Sequence, residues 1–124
     1  MKKKKDLFWV GSSKKDLSKF PNSVQETAVF ALGLATECIA HHDEKVLKGF
    51  GDSGVRELRL NDRSGTFRVV YVVKLANAIY VLHAFQKKSK KGIETTKQDI
   101  ELIHQRLQLA MTDHKERFAK EQKR

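Results

Sequence analysis

The sequence predicts an α+β fold in which two helical segments precede a small antiparallel sheet and a third helix closes the chain. Three observations support this prediction. Apolar residues recur at three- and four-residue steps over residues 24–39 and again over residues 100–118, which is the spacing of one helix face. Between them, residues 54–92 hold three β-rich runs separated by turn residues. A short apolar run near the start adds a fourth strand.

The composition is typical of one folded domain with a polyanionic partner. With 124 residues, 40% of them hydrophobic and 32% charged, the chain is expected to form a single domain over residues 1–124. Its formal net charge of +10 favours RNA, DNA, an acidic protein or an anionic membrane surface as the partner. No apolar run has transmembrane length, and the run after the N-terminal lysines is too short for a signal peptide, so a cytoplasmic protein is expected.

The N-terminal segment is predicted to form a strand and then a short helix. Residues 1–5 are interpreted as a basic, solvated tail, and residues 7–10 as the first strand. Ser12 or Ser13 can cap a short helix that runs to about Phe20. Pro21 then suits the first turn of a longer helix.

The longer helix and its short predecessor are predicted to pair as a helical hairpin. The long helix is expected to end at His41 and His42. Cys38, the single cysteine, excludes an intrachain disulfide and is expected to be a small buried hydrophobic residue. The apolar stripe of this helix recurs at helical spacing and comprises Val24, Ala28, Ala31, Leu32, Ala35 and Ile39.

The central part of the chain predicts three further strands after a glycine-containing loop at residues 45–54. The strands are residues 55–60, 66–75 and 78–85, and short turns between them make neighbouring strands antiparallel. The third strand of the chain places Phe67, Val69, Tyr71, Val73 and Leu75 on one face, which is expected to pack on the helices. Its other face is apolar apart from Arg68 and Lys74, so we expect the last helix to cover it. The nearly apolar fourth strand is expected to be covered on both faces.

The last helix follows a basic loop at residues 86–92. Thr95 or Thr96 is expected to cap it, since Asp99 lies three residues after Thr96. The mostly charged residues 115–124 are expected to fray. The apolar stripe of this helix comprises Ile100, Ile103, Leu107, Ala110, Met111 and Phe118.

Several familiar active sites have no counterpart in the sequence. It has no His-x-x-x-His, no paired cysteines, no glycine-rich phosphate loop and no nucleophile elbow, so no metal or cofactor is expected. His41 and His42, followed by Asp43 and Glu44, could suggest a metal site. However, adjacent helical residues point about 100° apart, so we interpret the two histidines as cations at a helix C-terminus.

A basic site without a metal can still cleave RNA, because RNA supplies its own 2′-hydroxyl nucleophile. Such a site must neutralise charge on the phosphate, for which arginine is suited, and must transfer protons. His83, or a lysine whose pKa is lowered by neighbouring cations, could transfer protons. Structural alternatives stay open: His83 could be a buried, hydrogen-bonded residue, Arg56 and Arg59 could pair with Glu57, and the lysines after the last strand could be solvated.

Three segments of the sequence together resemble a known family. They are GVRELRL at residues 54–60, FRVVYV at residues 67–72 and YVLHAFQKKS at residues 80–89. In this order they resemble the HigB-like branch of the RelE/ParE toxin superfamily, which includes many phage-derived proteins. The resemblance implies a RelE-like fold with a four-stranded, mainly antiparallel sheet. It also implies the toxin of a type II toxin–antitoxin pair, which cleaves mRNA on the ribosome without a metal.

The resemblance also implies partners and roles for particular residues. The partner is an antitoxin that usually carries a helix-turn-helix, and the pair binds its operator DNA; no membrane is involved. Arg59 and Arg68 match the basic residues of the central hairpin and are expected to stabilise the phosphate. Lys87 matches the basic residue after the last strand, and Lys87 or His83 is expected to transfer protons. Some relatives place a tyrosine after that strand, where this chain has Lys88-Ser89-Lys90, so His83 or a lysine would substitute as general acid.

The remaining cations are assigned to RNA binding, namely Arg56, Lys88, Lys90 and Lys91. Two other functions stay open at this point. The ParE branch shares the fold and targets DNA gyrase, and a basic RNA- or ribosome-binding module would need no catalysis.

Overall fold

The computed structural model describes residues 4–87 and 95–119. Within these ranges five strands and three helices follow one another along the chain. They are β1 (Asp6–Trp9), α1 (Ser13–Leu17), α2 (Asn22–Thr36), β2 (Glu44–Val46), β3 (Val55–Asp62), β4 (Gly65–Val72), β5 (Ala78–Lys87) and α3 (Lys97–Arg117).

The strands form one mixed sheet in the order β1-β5-β4-β3-β2. β1 runs parallel to β5, and the other neighbours are antiparallel. The predicted α+β class is confirmed, but the predicted four-stranded sheet is wrong, because Glu44–Val46 adds a fifth strand beside β3. This strand has three residues, too few to show an alternating pattern, and it forms because the outer edge of β3 needs backbone hydrogen-bond partners.

Helix α2 covers one face of the sheet, called here the α2 side. Its predicted stripe, apart from Ile39 at 51% exposed, packs on Phe67, Val69 and Tyr71 of β4, which confirms the helical spacing. The strand ends at Val72 and not at residue 75 as predicted, and Leu75 packs on the opposite side of the sheet. The predicted helical hairpin is replaced by a single turn, α1, followed by one long helix. Ser13 fastens that turn, since its buried Oγ donates to the Val81 carbonyl at 3.1 Å. The α2 side buries Val24, Ala28, Ala31, Leu32, Leu58, Leu60, Phe67, Val69, Tyr71, Ile79 and Val81.

Helix α2 ends earlier than the sequence pattern predicts. Its last residue is Thr36, and Cys38 then adopts a left-handed conformation with φ of 63°. The Cys38 N–H donates to the Ala35 carbonyl and the Ile39 N–H to the Leu34 carbonyl, each at 2.9 Å, which closes the helix with a Schellman motif. The sequence does not reveal this helix end, because the left-handed position after a helix is usually a glycine and here it is Cys38. Cys38 is exposed, so the prediction that it is buried is wrong.

Helix α3 covers the opposite face, called here the α3 side, as the sequence predicts. Thr96 caps it, since the Asp99 N–H donates to Thr96 Oγ1 at 3.2 Å. Met111, which belongs to the predicted stripe, is 42% exposed and lies outside the packed face of the helix. The helix continues to Arg117, two residues beyond the start of the segment expected to fray, and residues 120–124 lie outside the described part. The α3 side buries Val55, Val70, Val72, Tyr80, Leu82, Ile103, Leu107 and Ala110.

A bulge in β5 changes which face His83 occupies. The pairing between β4 and β5 passes from Val70 with His83 directly to Tyr71 with Val81, so it skips Leu82. Strict alternation would place His83 with Val81 on the α2 side. The extra residue instead lets both Leu82 and His83 face α3.

None of the helices in the described ranges is long and apolar enough to span a membrane.

Candidate active site

A buried carboxylate organises the charged residues on the α3 side of the sheet. The side chain of Glu57, on β3, is 1% exposed. Its Oε1 accepts from Arg59 Nε at 2.9 Å and from Arg68 Nη1 at 2.7 Å. Its Oε2 accepts from Thr95 Oγ1, just before α3. One carboxylate therefore holds two guanidinium groups and is itself tied to the residue before the helix.

Strand geometry explains why these side chains meet. Glu57 and Arg59 are two residues apart on β3, so they share one face of the sheet. Arg68 on β4 lies directly opposite Arg59 in the antiparallel register. Opposed residues on neighbouring strands have Cβ atoms about 5 Å apart, which leaves both arginines within reach of one carboxylate.

The two arginines differ in exposure. The side chain of Arg68 is 3% exposed, whereas that of Arg59 is 30% exposed. Within the described residues, Nε is the one atom of the Arg59 side chain that donates a hydrogen bond. The structure thus brings together the two arginines that the sequence singled out, and of the two it is Arg59 that faces solvent. A direct phosphate contact by Arg68 stays a prediction.

His83 lies on the same side of the sheet and is held by α3. Its Nε2 is 2.8 Å from Asp99 Oδ1, and its ring stacks on Phe85 with centroids 4.5 Å apart. Because a carboxylate only accepts hydrogen bonds, Nε2 carries the proton in this pair. His83 Nδ1 is buried and has no hydrogen-bond partner among the described residues. His83 is thus the buried, hydrogen-bonded histidine that the sequence left open as an alternative, and its part in proton transfer stays a prediction.

The predicted lysines fall at the end of β5 and beyond it. Lys87 is partly buried, and it pairs in register with Thr66 near the start of β4. Lys88, Lys90 and Lys91 lie outside the described residues, so their role in RNA binding stays a prediction.

Arg56 lies apart from this group, on the α2 side of the sheet. Its Nε is 3.3 Å from Glu44 Oε2, and the Tyr71 hydroxyl donates to Glu44 Oε1 at 2.6 Å. Burial and this bond to Glu44 raise the pKa of Tyr71 well above its usual range, so the phenol remains a donor. Arg56 was assigned to RNA binding with the other cations, but the structure does not bring it to them.

Sequence reasoning missed the acidic partners of the site. Of the two pairings with Glu57 that the sequence left open, the one with Arg59 is found, whereas Arg56 pairs with Glu44. The part played by Glu57 in holding Arg68 was not foreseen, although Glu57 lies between Arg56 and Arg59 on β3. Asp99 was recognised as part of a helix cap, and its second role, holding His83, depends on how α3 docks.

Arg59 also borders an open cleft of about 360 Å³ between α2 and the start of the β3–β4 turn. This volume is within the range of small-ligand pockets. The residues that line the cleft are Ser23, Val24, Thr27, Asp43, Arg59, Leu60 and Asn61.

A protein-family model and a solved structure match this chain. The model of the family described as "Phage derived protein Gp49-like (DUF891)" matches residues 15–108. A crystal structure of the toxin–antitoxin complex RelBE2 from Mycobacterium tuberculosis includes a chain with 22% sequence identity and a TM-score of 0.47. The match covers 68% of the present chain and 100% of that chain. No curated protein matches the sequence.

Proposed function

We propose that this chain, which belongs to the Gp49-like family of phage-derived proteins, is the toxin of a toxin–antitoxin pair and cleaves mRNA on the ribosome. The observation that carries the proposal is the group formed by Glu57, Arg59 and Arg68 on the sheet face that also holds His83. The resemblance of three strand segments to HigB-like toxins and the net charge of +10 support it.

Arg59 is assigned to the scissile phosphate. Its Nε is bound to Glu57, while its terminal nitrogens are free of hydrogen bonds among the described residues and its side chain is 30% exposed. Two parallel N–H groups can grip two phosphate oxygens at once, which suits a guanidinium. As the 2′-hydroxyl attacks, charge grows on those oxygens, and a fixed guanidinium stabilises it without reorganisation.

Arg68 and Glu57 hold Arg59 in place. Glu57 binds both guanidinium groups, so the torsions of Arg59 are restrained before RNA arrives. Two guanidinium groups against one carboxylate leave the group with positive charge, which attracts the RNA backbone. Arg68 contributes to this field from inside the sheet, where its charge is poorly screened by salt.

His83 is assigned to proton transfer. Its Nε2 is bound to Asp99 and its Nδ1 is buried, so RNA binding must first expose Nδ1 before that atom accepts the proton of the 2′-hydroxyl. The second transfer, to the leaving oxygen, is assigned to a lysine of the segment that follows β5, with Lys87 as the first candidate. Lys88, Lys90 and Lys91 in the same segment are assigned to RNA binding. No metal is needed, because the nucleophile comes from the RNA.

The proposed partners follow from the same assignment. A cognate antitoxin with a helix-turn-helix would neutralise the toxin in the cytoplasm, and the pair would bind its own operator DNA.

The decisive experiment compares Arg59→Ala with Arg56→Ala after expression from a tightly controlled promoter. Arg56 provides a matched control, because it is a cation on the same strand whose side chain faces the α2 side. Mapping the 5′ ends of cellular mRNA should show new cuts inside translated codons for the unaltered protein and for Arg56→Ala. In Arg59→Ala the cuts should fall by about 10²–10³-fold, the usual cost of removing one charge-stabilising donor.

Other outcomes would redirect the assignment. Cuts that persist in a folded Arg59→Ala variant would contradict the role given to Arg59. Growth arrest without any cuts would point to the ParE-like alternative, which a gyrase supercoiling assay would test directly. Folded protein that causes no arrest would leave a basic RNA- or ribosome-binding module.

A further inference from the structure

The segment between α2 and β2 carries two adjacent histidines and an aspartate in a conformation that the sequence pattern did not predict. The sequence argued against a metal site because adjacent residues of a helix point in different directions. However, α2 ends at Thr36, and His41, His42 and Asp43 lie in irregular backbone just before β2. The 100° separation of helical neighbours therefore does not apply to them.

The three side chains converge. One ligand atom from each lies within 4.8 Å of the other two. His42 Nε2 is 3.4 Å from Asp43 Oδ2, and His41 Nδ1 is 3.9 Å from the same oxygen. Two ligands bonded at about 2.0–2.1 Å to a tetrahedral zinc ion are themselves about 3.3–3.4 Å apart. His42 and Asp43 already have this separation, His41 and Asp43 are within about half an ångström of it, and the two histidine ligand atoms are within 4.8 Å of each other.

We propose that His41, His42 and Asp43 form a binding site for a divalent transition-metal ion of the zinc class. Two imidazoles and one carboxylate suit zinc and are too rich in nitrogen for magnesium or calcium. Three protein ligands leave a fourth position, which is filled by water or by a group from a partner molecule.

The surroundings support a site of moderate affinity. His41 is 7% exposed, and its Nδ1 accepts the Asp43 N–H at 3.0 Å, so the metal must displace this bond. The ring of Phe30 packs edge-on against His41, with centroids 6.2 Å apart, and limits its movement. The side chain of His42 is 82% exposed and gives the ion access from solvent. We expect weaker binding than at closed sites with four protein ligands.

The site is linked to its neighbours through the backbone. The Glu44 N–H donates to the His41 carbonyl at 3.0 Å, and the Arg59 N–H donates to the Asp43 carbonyl at 3.3 Å. A bound ion would restrict the movement of the segment before β2 relative to the edge of β3. This site does not depend on the proposed ribonuclease, and binding can be measured without any activity.

Isothermal titration with zinc chloride tests the proposal on untagged protein. The reference protein carries Cys38→Ser, because the exposed Cys38 thiol could itself bind zinc. One zinc ion per chain should bind. His42→Ala and Asp43→Asn should each weaken binding by about tenfold or more, because each removes a ligand. Both positions are accessible to solvent, so the far-UV circular dichroism spectrum should be unchanged.

His104→Ala is the matched control. His104 is an exposed histidine on α3 that stacks on Phe50 with centroids 4.1 Å apart, far from the proposed ligands in the sequence. The His104→Ala variant should bind zinc with the same affinity as the reference protein. The proposal is overturned if the reference protein binds no zinc, if His42→Ala and Asp43→Asn bind as well as the reference, or if His104→Ala loses binding equally.

Discussion

Strand β3 carries two arginine–glutamate groups that lie on opposite faces of the sheet and are built differently. On the α2 side, Arg56 pairs with Glu44 of the edge strand, and their side chains are 24% and 7% exposed. On the α3 side, Glu57 holds both Arg59 and Arg68, and the side chains of Glu57 and Arg68 are 1% and 3% exposed. The first is an ion pair at the sheet edge, whereas the second is a buried group from which the Arg59 side chain reaches solvent.

The difference shows how burial changes what a charge can do. Breaking the Arg56–Glu44 pair at the carboxylate leaves Arg56, 24% exposed at the sheet edge, where water can solvate its charge. A buried carboxylate between two guanidinium groups cannot be removed without leaving unpaired charge in the interior. The α3-side group is therefore rigid, and Arg59 extends from it with a restrained guanidinium. This arrangement suits binding of an anion more than it suits stability.

Removing the buried carboxylate should have the largest effect. Glu57→Gln leaves two guanidinium groups without a counter-charge, one of them buried, and should lower the free energy of unfolding by about 3–5 kcal/mol. Glu44→Gln is the matched control at the sheet edge and should cost about 1 kcal/mol, because Arg56 can turn to water. Urea denaturation measures both, and equal losses would contradict the comparison.

A double-mutant cycle should reveal the coupling within the buried group. Arg68→Met alone should destabilise the protein, since it removes a partner of the buried Glu57. The double variant Glu57→Leu with Arg68→Met should recover part of that loss, with a coupling energy of about 1–3 kcal/mol. The same cycle on Arg56 and Glu44 should give a smaller coupling. Additive effects at Glu57 and Arg68 would show that they do not act as one unit.

A substitution that releases backbone strain tests the α2 side without touching its charges. Cys38 has a φ of 63° after α2, in a conformation that costs residues other than glycine about 1–2 kcal/mol. Cys38→Gly should raise the free energy of unfolding by about 1 kcal/mol, whereas Cys38→Ala should not. Thermal unfolding would measure the difference, and a destabilised glycine variant would argue against strain at this helix end.

Acid sensitivity should be specific to the α3 side. His114 on α3 is 6% exposed, and burial lowers its pKa below the ordinary 6.5, with nearby Asp113 opposing the shift and Lys5 adding to it. The unfolded chain then binds a proton that the folded protein resists, so stability is lost as pH falls below about 6.5. His114→Gln should flatten this part of the pH–stability curve measured with urea. An unchanged slope would assign the acid sensitivity to other groups.

Much of the fold could be predicted because it follows from local periodicity. The stripes on α2 and α3, the β3–β4 turn and the Thr96 cap depend on neighbouring residues and the structure confirms them. The misses occur where the signal was short or unusual. β2 has three residues, and the left-handed turn after α2 uses cysteine in place of glycine. Both misses affected the same segment, and with it the interpretation of His41 and His42.

The sequence by itself determined the charge, the four longer strands in their order along the chain, and the alternation that places Glu57 with Arg59 and away from Arg56. These follow from composition and from the two-residue period of a strand. Tertiary structure decided which groups meet. The register brings Arg68 opposite Arg59, and the bulge turns His83 toward α3. The packing of α3 on the sheet then places Asp99 beside His83 and Thr95 beside Glu57. Such contacts join residues far apart in the chain, where local pattern carries no information about distance.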